Sequence, residues 1–254
     1  MTCLGRVVGH AGQVRPQAEW DEVHRLIATG FNDCAIARAT GVNRRTVMDW
    51  RHQGPMRQRR SSVCPRCDGA SLDDSAYVYL LGLYLGDGCL SWHRRDVYCL
   101  RISLDTKYPN IIAECARAMA VVGGRRVAQS PAKGCIVVNA SWKHWPCVFP
   151  QHGPGRKHNR TIELLPWQRE ITRNYPGLLL RGLIHSDGCR ILNRVNGTGY
   201  PRYHFTNRSS GIRQIFCVAC EDYGIRWTIC RVDELSVARR DHVARLDLAV
   251  GPKT

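Results

Sequence analysis

The stretch Leu80-Leu81-Gly82-Leu83-Tyr84-Leu85-Gly86-Asp87-Gly88-Cys89 returns 100 residues later as Leu180-Arg181-Gly182-Leu183-Ile184-His185-Ser186-Asp187-Gly188-Cys189. Apolar residues dominate each copy, and each ends on Asp-Gly. Gly82 and Gly86 are four apart, as are Gly182 and Ser186, so each small pair lies on one face of a helix. Small residues there let two helices approach more closely than side chains usually permit. Packed along that seam, the helices bring Asp87 and Asp187 together at their C-terminal ends, where the helix dipole is already negative. Two like charges near 4 Å cost about 4 kcal/mol at an effective dielectric of 20. A divalent cation or a raised pKa makes such a pair tolerable. Gly88 and Gly188 end the helices without steric cost.

The repeat extends beyond these helices. After the first copy the pattern predicts strands over 89–94 and 98–104, a helix over 109–122, and strands around Val127 and Val137. After the second it predicts strands over 189–194 and 202–207, a helix over 211–223, and strands around Thr228 and Leu235. Each unit closes on a Gly-Pro stretch carrying a lysine. Lys157 lies 70 residues after Asp87, and Lys253 lies 66 after Asp187. In the strands, Tyr98, Leu100, Ile102 and Leu104 alternate with Arg101 and Ser103, and Tyr203 and Phe205 alternate with Arg202, His204 and Thr206. The apolar sets fit under helices; the polar sets fit a solvated face or a DNA groove.

This pair of motifs resembles the paired motifs of LAGLIDADG homing endonucleases in their single-chain, two-motif form, over about residues 73–254. The resemblance implies an α+β fold. Two pseudo-symmetric units carry curved antiparallel sheets that form a DNA-binding saddle. It also implies that Asp87 and Asp187 hold Mg²⁺ or another divalent metal, and that Lys157 and Lys253 stand near the scissile phosphates. The implied activity is site-specific hydrolysis of both strands of an asymmetric duplex by a monomer, as in the homing of introns or inteins. The sixth motif position, often acidic in the family, holds Leu85 and His185 here. That makes the halves unequal without touching the metal ligands.

Ahead of the repeat, residues 20–51 read as three helices. Asn32 or Asp33 can cap the second, Gly41 makes a tight turn, and Ala37 and Val47 occupy the small and core positions of a helix-turn-helix. The last helix presents Arg44, Arg45 and Thr46 near its N-terminus, where such helices meet base edges. The expected organisation is a helix-turn-helix DNA-binding domain over 1–54, a basic linker with CxxC over 55–72, and LAGLIDADG-like units over 73–166 and 167–254. A second reading is a helix-turn-helix transcription regulator whose LAGLIDADG-like part binds DNA without cutting. A third is a cofactor of RNA splicing. Regulators of the second kind tend to lose the metal-binding acids, and both are kept here.

The chain has 254 residues, 44% hydrophobic and 23% charged, as globular proteins do. With 37 Lys+Arg against 21 Asp+Glu its formal charge is +16, which favours a polyanionic partner. Only Lys107, Lys133, Lys143, Lys157 and Lys253 are lysines, so any role needing one has few candidates. No run of about 18 apolar residues occurs, and the first residues lack a signal peptide, so a cytoplasmic, nucleoid-associated location without membrane contact is expected. Thirteen cysteines without an export signal read as reduced thiols. Cys64-Pro-Arg-Cys67 has metal-knuckle spacing, yet no second CxxC or HxxxH lies nearby, so zinc at Cys64 and Cys67 is not the expected state. Cys217 and Cys220 fall in an apolar helical pattern and read as core thiols. His144, His152 and His158 follow no regular ligand spacing and read as solvated or structural.

Overall fold

A computed structural model describes residues 17–52, 63–123 and 126–253. The signal-peptide reading of the first residues and the 55–62 part of the linker expected over 55–72 lie outside them. The chain divides into two compact units, Met1–Ser62 and Val63–Thr254.

In the first unit, α1 (Gln17–Ala28), α2 (Asp33–Thr40) and α3 (Arg44–His52) enclose a core of Val23, Leu26, Ile36, Val42, Val47 and Trp50. The Asn32 side chain caps α2 by accepting from the Ala35 N–H at 2.9 Å. Gly41 ends that helix at φ +68°, the left-handed conformation that glycine adopts without cost. Arg51 donates to Asp33 at 2.8 Å and to the Phe31 carbonyl at 2.7 Å, which ties α3 to the start of α2. Arg44 and Arg45 are exposed and Thr46 is half-buried.

The second unit is built twice from one plan. The first copy runs α4 (Asp74–Asp87), β1 (Gly88–His93), β2 (Val97–Asp105), α5 (Pro109–Gly123), β3 (Ala128–Ala132), β4 (Cys135–Trp142) and a short α6 (Trp145–Val148). α7 (Pro166–Asn174) leads into the second copy. That copy runs α8 (Pro176–Asp187), β5 (Gly188–Val195), β6 (Thr198–Thr206), α9 (Ser210–Asp222), β7 (Thr228–Arg231), β8 (Glu234–Val237) and α10 (Arg240–Val250). Both sheets are four-stranded and antiparallel, ordered β1-β2-β4-β3 and β5-β6-β8-β7. The register sets Cys89, Arg101, Asn139 and Ala128 in one cross-strand row, and Cys189, His204, Ser236 and Thr228 in the matching row of the other sheet.

α4 is buried without a break from Tyr77 to Leu85, which is why its sequence is apolar all round rather than striped. Asp73 caps its start by accepting from the Ala76 N–H at 2.9 Å. A buried polar chain fastens α7 to it. Gln168 donates to the Tyr77 hydroxyl at 2.7 Å, and that hydroxyl donates to the Val148 carbonyl at 2.8 Å. Gln151 donates to Gln168 at 2.6 Å.

The division falls at Val63, before the CxxC, not after it: Cys64 is fully buried and packs in the core of the second unit. Because each unit has its own apolar cluster, deleting residues 1–62 is expected to leave the second unit's far-UV circular dichroism and cooperative thermal transition in place. A truncated chain without a cooperative transition would refute the separation.

Candidate metal centre between the two motif helices

α4 and α8 touch backbone to backbone. A β-carbon built on Gly82 would lie 2.8 Å from Gly182 Cα, and one on Gly182 only 2.4 Å from the Tyr79 carbonyl oxygen. One turn on, the same construction at Gly86 meets Ser186 Oγ and, at 2.8 Å, Asp187 Oδ2. The small residues therefore serve the close approach for which their spacing suits them. Asp87 and Asp187 end their helices on either side of this seam.

Two lysines finish the helix ends. Lys157 Nζ donates to the Tyr84 carbonyl, and to those of Leu85 at 3.0 Å and Gly86 at 3.1 Å. Lys253 Nζ donates to the carbonyls of Gly188 at 2.9 Å and Ile184 at 3.3 Å. Each ammonium meets carbonyls at the negative end of a helix dipole, among them those of Tyr84 and Ile184, which also accept from the Gly88 and Gly188 N–H. Burial pulls Lys157 down to about 8, against the pull of Asp187 and Asp87. Burial lowers Lys253 as well, opposed by Asp87 and other acidic neighbours.

The carboxylates are strained in the opposite sense. Burial, then the neighbouring Asp187, push Asp87 up to about 6, with Lys157 and Lys253 offsetting part of the effect. Burial also raises Asp187, while the Asn207 amide, donating to its Oδ2 at 2.6 Å, and the two lysines hold it back. A cleft of 760 Å³ opens here, lined among others by Asp87, Lys157, Asp187, Thr206, Asn207 and Arg208. A smaller one of 190 Å³, on the Lys253 side, is lined by Asp87, Asp105, Tyr108, Ser186 and Lys253 among others. Two adjacent carboxylates facing one cleft, Asp87 exposed and Asp187 half-buried, are a hard-oxygen donor set, which suits Mg²⁺, Mn²⁺ or Ca²⁺.

No family model matches the sequence, and no curated protein matches it. Solved structures do. A mesophilic variant of the homing endonuclease I-DmoI aligns at 14% identity over 70% of this chain and 97% of its own, with a TM-score of 0.47. The N-terminal LAGLIDADG domain of DUF199/WhiA aligns at 14% over 71% and 83%, TM-score 0.48. The homing endonuclease I-WcaI, bound to its DNA recognition sequence, aligns at 13% over 81% and 92%, TM-score 0.47. Each is a likeness of fold at low identity. In this chain the two repeated helices meet at Gly82 and Gly182, and each feeds a four-stranded antiparallel sheet.

Asp87, Asp187, Lys157, Lys253, Gly82, Gly86, Gly182 and Ser186 converge on one seam. Arg101, Ser103 and Thr206 are exposed at the sheets, and Arg202 and His204 are half-buried. The His204 ring lies against Glu234, so that side chain already has a partner. Arg44, Arg45 and Thr46 belong to the first unit.

Three site residues escape the sequence reading. Asn207, Asp105 and Arg208 line the clefts. Asp105 and Asn207 stand in like places, one ending β2 and the other directly following β6, which the internal repeat could have revealed. His185 is structural. It is buried, its Nδ1 meets the Tyr79 hydroxyl at 3.0 Å, and its Nε2 meets the Val250 carbonyl at 3.2 Å. With Nε2 as donor and Nδ1 as acceptor both bonds are satisfied by the neutral ring. Burial, then Arg181, hold its pKa down at about 4. The departure at the sixth motif position thus became a tie between α4, α8 and α10. No helix among the described residues is long and apolar enough to cross a membrane.

Proposed function

We propose that this chain is a site-specific, divalent-metal-dependent DNA endonuclease of homing type. In this reading Asp87 and Asp187 are the metal ligands. The observation that carries it is the pair of acids, Asp87 exposed to the cleft and Asp187 half-buried, drawn together at two helix ends and flanked by two lysines. A bound divalent ion would supply activation of water and stabilisation of the attacking and leaving oxygens. The remaining chemistry belongs to the chain. Lys157 and Lys253, anchored on main-chain carbonyls, present positive charge where negative charge develops on a phosphate. Asn207 fixes the Asp187 carboxylate. One bond forms between water oxygen and phosphorus, the bond to the leaving sugar oxygen breaks, and the proton passes to that oxygen, once in each strand.

Arg101, Ser103, Arg202, His204 and Thr206 are the proposed contacts on the two sheets. Arg202 supports this in a specific way, because its Nε is buried without a hydrogen-bond partner among the described residues and an incoming acceptor would satisfy it. Arg44, Arg45 and Thr46 would add a second contact, and the overall +16 charge suits phosphate. Non-identical halves in one chain imply an asymmetric duplex target read by a monomer.

The test is a pooled library of duplexes incubated with the full chain and Mg²⁺, with both the bound and the cut molecules sequenced. Double-strand cuts at one sequence family, absent in EDTA, are expected. Selective binding with no cut in any duplex would replace the enzyme with the regulator reading.

A further inference from the structure

We propose that Cys64, Cys67, His144 and Cys147 form a structural zinc site. The four residues come from two short clips of identical spacing, Cys-x-x-Cys on the turn at 64–67 and His-x-x-Cys at the start of α6. The fold brings the clips together so that one ligand atom from each residue lies within 4.8 Å of all the others. Cys67 Sγ is 3.5 Å from Cys147 Sγ, and Cys147 Sγ is 3.7 Å from His144 Nδ1. A tetrahedral ion with bonds of about 2.3 Å to sulfur and 2.0 Å to nitrogen sets its ligands about 3.5–3.8 Å apart. Two of the six edges already lie in that range.

The surroundings are those of a metal knuckle. The Arg66 N–H donates to Cys64 Sγ at 3.4 Å, as a backbone amide does toward a coordinating thiolate. Asp68 closes the turn, its carboxylate accepting from the Cys64 N–H at 2.7 Å and its own N–H donating to the Cys64 carbonyl at 2.9 Å. The His144 ring packs edge-on against Trp142 at 5.4 Å. Three soft sulfurs and an imidazole select zinc rather than the hard ions suited to Asp87 and Asp187. A full set of four protein ligands leaves no open position, so the site is structural rather than catalytic.

The need for it is visible in the backbone. From Val63 to Asp73 the chain forms neither helix nor strand, yet it leads directly into the cap of α4. Clipping it to α6 would hold that entry in place. The expectation of no zinc at Cys64 and Cys67 rested on the lack of partners nearby in sequence; the partners lie about 80 positions further along.

The full chain, purified under reducing conditions without chelator, is expected to carry about one zinc by elemental analysis. Refolded with Co²⁺ in its place, it should show the visible bands and sulfur-to-cobalt charge transfer of a tetrahedral thiolate site. Cys64→Ser and Cys147→Ser should each lose the metal, whereas Cys135→Ser should keep it. Metal content below about a tenth of an equivalent, together with no Co²⁺ spectrum in the reduced wild-type chain, would overturn the site. So would a Cys67–Cys147 disulfide in the native protein, or zinc retained in both serine variants. None of these readouts depends on DNA cleavage, so they stand or fall apart from the nuclease reading.

Discussion

Gly182→Val is expected to destabilise the second unit by about 4–5 kcal/mol or more. The atoms a new β-carbon would strike are the Tyr79 carbonyl at 2.4 Å, Gly82 Cα at 2.9 Å and the Leu83 nitrogen at 3.0 Å, all of them main chain of the opposing helix. Main chain cannot turn aside as a side chain can, so the two helices must separate. Separation strips packing from α4, which is buried on every side from Tyr77 to Leu85. A domain is stable by about 5–15 kcal/mol in all, so a loss of this size takes much of the reserve. The melting temperature should fall by about 10 °C or more. Gly134→Ala is the comparison: its β-carbon would meet nothing within 4 Å, and only its φ of +74° resists substitution. That change should cost about 1 kcal/mol. Differential scanning calorimetry on both variants decides it, and equal small shifts would mean that the seam yields more readily than its geometry suggests.

Features that depend on periodicity were legible in the sequence, and features that depend on the meeting of distant segments were not. The strands of both copies, α5 and α9 follow from side-chain alternation and helical spacing, which are written locally. Gly82, Gly86, Gly182 and Ser186 were legible because small residues four apart have a meaning for helix contact that needs no further context. Lys157 and Lys253 were legible only through the internal repeat. By contrast, nothing within a few residues of Asn207 signals that its amide will reach Asp187, since that contact depends on how β6 runs past α8. Cys64 and His144 each belong to half of a ligand set, and half a set looks like an ordinary thiol or a solvated imidazole. His185 reads as a departure from the family motif. Its burial between Tyr79 and Val250 appears only when α10 packs against α8.

Asp87→Asn is expected to abolish cutting and, without metal, to stabilise the protein. The two effects share one cause. Burial and Asp187 hold the Asp87 carboxyl at about 6 in the folded protein, against an ordinary value of 3.8. An acid raised in this way favours the folded state while it keeps its proton. That stability is fully present below about pH 4 and is lost as the pH climbs through about 6. At pH 8 the ionised group therefore costs stability, less than its full shift implies because solvent reaches this exposed side chain, and the neutral, isosteric amide carries no such cost. The metal-free variant should melt above the wild type at pH 8, and the gap should close as the pH falls toward 4. Mg²⁺ should reverse the order. A cation that binds only the folded wild-type pair stabilises by about 2.7 kcal/mol at a hundred times its dissociation constant, while the variant, lacking one ligand, gains little. Loss of several kcal/mol of metal-derived transition-state stabilisation lowers the cleavage rate by more than about 1000-fold, with duplex binding retained. Melting curves at pH 5 and 8, with EDTA and with Mg²⁺, test the electrostatics without any knowledge of the target sequence. A variant less stable than the wild type in EDTA at pH 8 would show that Asp87 contributes favourable contacts in its ionised form. The two acids would then be a settled structural pair rather than a site waiting for a cation.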